Sequence, residues 1–173
     1  MPAIGEQAPS FVLPATDGER HEFPSGDGPA VLVFTCNHCP YALAWHDRLL
    51  AVARDYADRG VRMVAVNPND AERYPADSLE AMRERVETDG GWPLPYLRDE
   101  RQEVARAYDA KTTPDVFVVE SEGRIAYRGA PDADHRDHSL DAAWLREALD
   151  ALLAGERPER AKTEPVGCNI KWK

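Results

Sequence analysis

Two cysteines separated by two residues are the part of this sequence best suited to chemistry. Cys36 and Cys39 follow a run of β-forming apolar residues, Val31–Phe34, and precede a stretch whose apolar residues have helical spacing. A strand that leads into a helix through a turn with two thiols is typical of a redox site. We expect Cys36 at the helix N-cap, where unpaired backbone N–H groups and the helix dipole favour the nucleophilic thiolate. Cys39 is then one turn away and can close a disulfide with Cys36, which we expect to be the more exposed and more acidic thiol of the two.

His38, between the two cysteines, is expected to tune their pKa. A protonated imidazole adds a positive charge, and this favours thiolate at a neighbouring sulfur. Two other interpretations of the cysteine pair stay open. A zinc site needs four ligands, and the third cysteine of the chain, Cys168, is far away in sequence. Two buried structural cysteines would place Asn37 and His38 in a core that does not suit them. We therefore expect thiol chemistry with no resident metal and no other cofactor.

Length and charge restrict the class of protein. The 173 residues predict one domain, 1–173, with a core large enough to be stable without disulfides. A formal net charge of −10 argues against nucleic acid or an anionic membrane as a partner. No apolar run approaches the roughly 18 residues of a membrane span. The segment after Met1 lacks the pattern of a secretory signal, so we expect a cytoplasmic protein.

The segments around the cysteines predict a β-α-β unit. Residues 4–25 read as an N-terminal β-hairpin, because two short strand patterns flank an Asp-Gly turn. Residues 40–59 carry apolar side chains at helical spacing, and residues 61–66 form a second apolar, β-branched run. Strand, helix and strand in this order indicate a parallel pair with a right-handed crossover.

Pro114 is unusual because it comes just before another strand pattern, Val116–Val119. Proline cannot donate a hydrogen bond to a β-ladder, so it belongs at the start of that strand rather than inside it. We predict that the Thr113–Pro114 peptide bond is cis and lies within contact distance of the Cys36 sulfur. A last strand is expected over residues 124–128.

Three further helices are expected from their N-terminal patterns. Their predicted starts are Asp77, with Glu80 in the capping-box position, Asp99, with Gln102, and Ser139.

The C-terminal segment, residues 156–173, has no strong periodicity but is not an ordinary polar tail. It contains Cys168, Ile170 and Trp172 close together, and such residues favour contact with a core. We therefore expect this segment to dock on the body of the domain.

These motifs together resemble the thioredoxin superfamily. More narrowly, the chain resembles the redoxin or AhpC/TSA branch and its peroxiredoxin-like thioredoxin family proteins. That group carries Cys-Asn-His-Cys-Pro-Tyr, matched by Cys36–Tyr41, and Gly-Cys-x-Ile-Lys-Trp, matched by Gly167–Trp172. The resemblance implies an α/β thioredoxin-like fold: a central mixed sheet flanked by helices, an N-terminal hairpin extension and an insert after the second core strand. One departure is Ala30, which stands where thioredoxin keeps a buried acid.

The function expected from the motif and the resemblance is thiol-disulfide exchange. Cys36 would attack a disulfide, and Cys39 would resolve the mixed disulfide. Thr113 and Pro114 would bind an incoming substrate chain through edge-strand hydrogen bonds. The expected partners are protein or low-molecular-weight disulfides and thiols.

Two alternatives remain open from the sequence. The first is a peroxiredoxin-like antioxidant enzyme, in which a cysteine sulfenic acid condenses with a second thiol and Cys168 is the candidate resolving residue. The second, of another class, is a Cu(I)-binding metallochaperone that uses Cys36 and Cys39 with His38 or His46.

Overall fold

The computed structural model describes residues 3–173, and its first element is the hairpin expected near the N-terminus. Strand β1 (Phe11–Pro14) pairs antiparallel with β2 (Arg20–Phe23), and Phe11 lies opposite Phe23. Phe23 is buried and packs into the core on one face of the central sheet. The predicted hairpin is confirmed.

A five-stranded mixed sheet forms the centre of the molecule. The remaining strands are β3 (Ala30–Phe34), β4 (Arg62–Asn67), β5 (Tyr96–Arg98), β6 (Thr112–Thr113), β7 (Asp115–Val119), β8 (Ile125–Gly129) and β9 (Cys168–Asn169). The order in the sheet is β5-β4-β3-β7-β8. Strands β3, β4 and β5 are parallel, and β7 is antiparallel to both β3 and β8. Strands β6 and β9 form a separate antiparallel pair.

Both faces of the sheet are covered. Successive side chains of a strand point to opposite faces, and all five residues of β3 are buried. Val31 and Val33 pack against α1 (Pro40–Ala57) and α4 (Ala143–Leu153). Leu32 and Phe34 point to the other face, which the hairpin, the α3 region and the C-terminal segment cover. The other helices are α2 (Leu79–Thr88) and α3 (Glu103–Ala107). The expected thioredoxin-like fold is confirmed. Within residues 3–173, no helix combines the length and apolar character that a membrane crossing requires.

Two predicted helix starts are wrong. Asp77 ends a short 3-10 helix, Pro75–Asp77, and the N-cap of α2 is Ser78, whose hydroxyl accepts a backbone N–H of the first turn. Asp77 does not cap α2 because its buried carboxylate instead accepts hydrogen bonds from Asn37, Asn67 and Asn69. Ser139 lies in an exposed turn, and α4 begins only at Ala143. At α3 the expectation holds only in part: the Asp99 carboxylate accepts the backbone N–H groups of Val104 and Ala105, but the N-cap is Gln102 and the helix begins at Glu103.

The C-terminal segment contacts the body of the protein. Ile170 is buried in the core, and the Arg106 guanidinium lies 4.7 Å from the centre of the Trp172 ring. The pairing of β9 with β6 brings Cys168 opposite Thr113. This segment therefore reaches the same end of the sheet as the cysteine pair.

Candidate active site

The cysteine pair lies where β3 ends and α1 begins. The N-cap of α1 is Cys39, with φ −74° and ψ 125°, and Pro40 is the first helical residue. The prediction that Cys36 occupies the N-cap is therefore wrong. Proline keeps the preceding residue out of the helical region and is itself favoured in the first turn. The helix consequently begins after Cys39, and Cys36 lies in the turn before it.

Thr113 contacts both sulfur atoms of the pair. The Cys36 Sγ is 3.4 Å from the Thr113 hydroxyl oxygen, and a protonated Cys39 donates a hydrogen bond to the Thr113 carbonyl oxygen, 3.1 Å from its Sγ. The Thr113–Pro114 peptide bond is cis. The predicted conformation of this bond and its closeness to the Cys36 sulfur are confirmed.

Cys168 joins the pair to make a cluster of three thiols. Its backbone pairs with Thr113, and its side chain packs against Cys36 and Cys39. The Cys168 thiol lies near enough to Cys39 for each to shift the pKa of the other. Cys36 and Cys39 are 0% exposed, whereas Cys168 is half-buried. The prediction that Cys36 is the more exposed thiol of the pair is therefore wrong.

The neighbouring thiols favour a thiolate at Cys39 over one at Cys36, because they lower the pKa of Cys39 and raise that of Cys36. The S–H of Cys36 is the main cause that lowers the pKa of Cys39 to about 4, against the opposing effect of burial; Cys168 and the backbone N–H of Ala42 lower it further. The same hydrogen bond raises the pKa of Cys36, and burial and the Asp77 carboxylate raise it too. Burial, then the bond to Cys39, raises the pKa of Cys168 to about 11. These directions are opposite to the predicted order of acidity, in which Cys36 is the more acidic thiol.

His38 and the buried Asp77 form a pair beside Cys36. The His38 Nδ1 is 2.6 Å from the Asp77 Oδ2, and the imidazole stacks on the Tyr74 ring at 5.5 Å between ring centres. A positive charge on His38 would therefore be paired with the Asp77 carboxylate, and would not act on a cysteine sulfur as an isolated charge. The backbone N–H of His38 also acts on Cys36, because its hydrogen bond favours the thiolate there.

Asp77 holds the turn that carries the cysteines, a role that no local sequence pattern indicates. Its carboxylate accepts hydrogen bonds from the backbone N–H of Asn37 (2.7 Å) and the side-chain amides of Asn67 and Asn69 (3.0 Å each). Asp77 is 0% exposed. A buried carboxylate of this kind needs several donors, and it has them.

Arg85 and Tyr96, from the segment inserted after β4, complete the support of this turn. The Arg85 guanidinium donates to the carbonyl oxygen of Cys36 (3.1 Å) and the side-chain oxygen of Asn37 (3.0 Å). The Tyr96 hydroxyl donates to the same Asn37 oxygen at 2.7 Å. Sequence reasoning missed both residues, because contacts this far apart in the chain leave no local pattern.

Cys36, His38 and Asp77 are the residues of this site that could meet a metal ion, since one donor atom of each lies within 4.8 Å of the others. The Asp77 oxygens, however, already accept the three amide donors, which suits a hydrogen-bonded support. His46 was the other histidine considered for a copper site. Its Nε2 is 3.4 Å from the Asp89 carboxylate, and its ring packs on Trp92.

Comparison with known proteins places the chain in a family. A sequence model of the AhpC/TSA family matches residues 4–128. The thiol-disulfide oxidoreductase ResA of Halalkalibacterium halodurans is 27% identical over 122 residues, which are 70% of this chain and 65% of that protein. The chain thus spans slightly less than two thirds of that curated relative.

Two solved structures are similar over the whole chain. An uncharacterized conserved protein from Geobacillus kaustophilus is 41% identical, with a TM-score of 0.94 over 100% of this chain and 94% of that one. A hypothetical protein from Sinorhizobium meliloti is 35% identical, with a TM-score of 0.92 over 100% and 96% of the two chains. The chain belongs to the AhpC/TSA family.

Proposed function

We propose that this AhpC/TSA family member is a thiol-disulfide oxidoreductase whose redox centre is Cys36 and Cys39. The observation that carries the proposal is the pair of buried cysteine sulfurs at the start of α1, both in contact with Thr113 of the cis Thr113–Pro114 bond. A thiolate at a helix N-terminus is the nucleophile that disulfide exchange requires. The name of the ResA relative supports the same activity.

The geometry favours Cys39 as the attacking thiol, with Cys36 as the resolving one. The Cys39 thiolate attacks one sulfur of a disulfide, forms a mixed disulfide and releases the first thiolate. Cys36 then loses its proton and attacks the Cys39 sulfur, which forms the Cys36–Cys39 disulfide and releases the second thiolate. Two electrons pass from the pair to the substrate. His38, Thr113 and Pro114 serve in this proposal as the surroundings that fix the two sulfurs.

The test compares two oxidants on one sample of reduced protein: a small disulfide, oxidised glutathione, and hydrogen peroxide. We expect disulfide reduction that is lost in the double variant Cys36→Ser/Cys39→Ser, with the Val166→Ala protein as control because Val166 is exposed and adjacent to none of the three sulfurs in sequence. Disulfide reduction that survives both cysteine substitutions contradicts the proposal.

A peroxidase is the second candidate, and the contact between Cys168 and Cys39 favours it. The Cys39 thiolate would attack the peroxide O–O bond and become a sulfenic acid, with water or an alcohol as the leaving product. Condensation with the Cys168 thiol would then release water and form a Cys39–Cys168 disulfide. Peroxide consumption far faster than disulfide reduction, in the comparison above, supports this candidate instead.

A further inference from the structure

Strand β9 fills the sheet edge at which an extended substrate chain would bind. Its Cys168 pairs with Thr113, the residue before the cis-proline, and Asn169 pairs with Thr112. Gly167 lies so close that a Cβ there would be 2.3 Å from the Thr113 carbonyl oxygen. The edge of β6, where we expected a substrate chain to bind, is thus occupied by β9 of the protein itself.

Contacts on the C-terminal side of β9 hold this strand in place. The backbone N–H of Lys171 donates to the Asn69 side chain at 2.9 Å, and the Lys171 carbonyl accepts the backbone N–H of Asp70 at 2.8 Å. Ile170 is 3% exposed, and its N–H donates to the carbonyl oxygen of Lys111 at 3.2 Å. Cys168 therefore has a fixed position between this anchor and the thiol pair.

Cys168 is also the thiol of the cluster that faces solvent. Cys36 and Cys39 are fully buried, whereas Cys168 is half-buried and contacts Cys39. A dissolved thiol or disulfide that approaches the cluster with β9 in place meets the Cys168 sulfur first. A polypeptide that needs the edge of β6 for strand pairing finds it occupied.

We propose that Cys168 is the thiol through which the buried Cys36–Cys39 pair exchanges with small external thiols and disulfides. This inference rests on the proposed function, and it names the class of molecule that reduces the pair: a low-molecular-weight thiol.

The exchange proceeds in three balanced steps. In the oxidised protein, the Cys168 thiolate attacks the Cys39 sulfur; a Cys39–Cys168 disulfide forms, the Cys36–Cys39 bond breaks, and Cys36 leaves as a thiolate that takes up a proton. An external thiolate then attacks the Cys168 sulfur, and Cys39 leaves as a thiolate. A second external thiol reduces the remaining mixed disulfide on Cys168. The external thiols supply two electrons, and the reverse sequence reduces a small disulfide.

The acidity of Cys39 suits the second step. A thiol of low pKa is a good leaving group in disulfide exchange, and that of Cys39 is about 4. In the oxidised pair Cys39 carries no charge, so the part of the raised Cys168 pKa that comes from Cys39 disappears and attack by Cys168 becomes easier.

A trapping experiment tests the internal step. The Cys36→Ser protein, oxidised with oxidised glutathione, is expected to form a Cys39–Cys168 disulfide, identified by peptide mapping. Wild-type protein treated in the same way is expected to end with the Cys36–Cys39 linkage. Glutathione that stays on Cys39 or Cys168 of the variant, with no linkage between them, overturns the inference. Absence of the Cys36–Cys39 disulfide from the wild type instead overturns the proposed function.

A rate measurement tests the external step. Oxidised Cys168→Ser protein is expected to lose most of its rate of reduction by glutathione, while Val166→Ser, two residues earlier and exposed, keeps it. Thermal unfolding of both variants checks that β9 remains docked. An unchanged rate in Cys168→Ser shows that external thiols reach the Cys36–Cys39 pair directly. A faster rate shows that Cys168 only shields the pair from these thiols. Either result overturns the inference.

Discussion

At the scale of single residues, the position of one charge among three sulfurs determines the chemistry. The Cys36 thiol beside Cys39 is the largest cause of the low Cys39 pKa, because it can donate its S–H to a thiolate there. Cys36→Ala removes the donor. We expect the Cys39 pKa to rise from about 4 toward the ordinary thiol value of about 8.5.

The measurement is the ultraviolet absorbance of thiolate against pH, in a Cys168→Ser background with and without Cys36→Ala. The prediction is an acidic transition that moves to higher pH when Cys36 is removed. An acidic transition that stays in place would show that the helix N-terminus alone, and not Cys36, sets the acidity of Cys39.

Asp77 gives the second prediction at this scale. Its buried carboxylate accepts three amide hydrogens, and an asparagine side chain cannot accept all of them. Asp77→Asn is expected to lower the free energy of unfolding by about 1–3 kcal/mol. It should also lower the Cys36 pKa, since the Asp77 charge contributes to raising it. Urea unfolding with Asp89→Asn as control tests this, because Asp89 is an exposed carboxylate of the same insert. Equal losses in the two variants would contradict the role given to Asp77.

At the scale of elements, the sequence predicted what local patterns encode and missed what distant contacts impose. The apolar run of β3, the helix after Pro40 and the cis bond at Pro114 all follow from short stretches of sequence. The N-cap could also have been placed at Cys39, because proline restricts the residue before it. Strand β9 has only two residues and is defined by its pairing with β6, so its sequence is too short to show the periodicity of a strand.

The N-cap of α2 gives a prediction at the element scale. Ser78 accepts the backbone N–H of Ala81 at 3.1 Å, whereas Ser139, which the sequence suggested as a cap, lies outside α4. Ser78→Ala is expected to destabilise the protein by about 1 kcal/mol. Ser139→Ala is expected to change stability by less than about 0.5 kcal/mol. Chemical denaturation of both variants provides the comparison, and a larger loss in Ser139→Ala would contradict the assigned helix start.

At the scale of the whole molecule, a buried ion pair joins α1 to the loop before α4. The Asp132 carboxylate accepts two hydrogen bonds from Arg48, at 3.0 and 2.9 Å, and one from the indole N–H of Trp45 at 2.9 Å. It also accepts the backbone N–H of Ala142, the residue just before α4. The Asp132 carboxylate thus holds α1 against the start of α4.

Asp132→Ala should therefore weaken the whole fold. It leaves the Arg48 guanidinium buried without its carboxylate, and breaking a buried pair in this way costs about 3–5 kcal/mol. Asp141→Ala, an exposed position in the same connection, should change stability by less than about 0.5 kcal/mol. Urea unfolding of the reduced proteins measures both. A loss below about 1 kcal/mol for Asp132→Ala would contradict a structural role for this pair.

The central claim is that Cys36 and Cys39 are a redox pair, and one equilibrium measurement tests it most directly. The protein is equilibrated in glutathione buffers of increasing oxidation, quenched with acid, alkylated and mapped by mass spectrometry. The account predicts a single two-electron transition in which the Cys36–Cys39 disulfide replaces the two free thiols. Both cysteines remaining as thiols across the whole series, or appearing only as separate glutathione adducts, would contradict it.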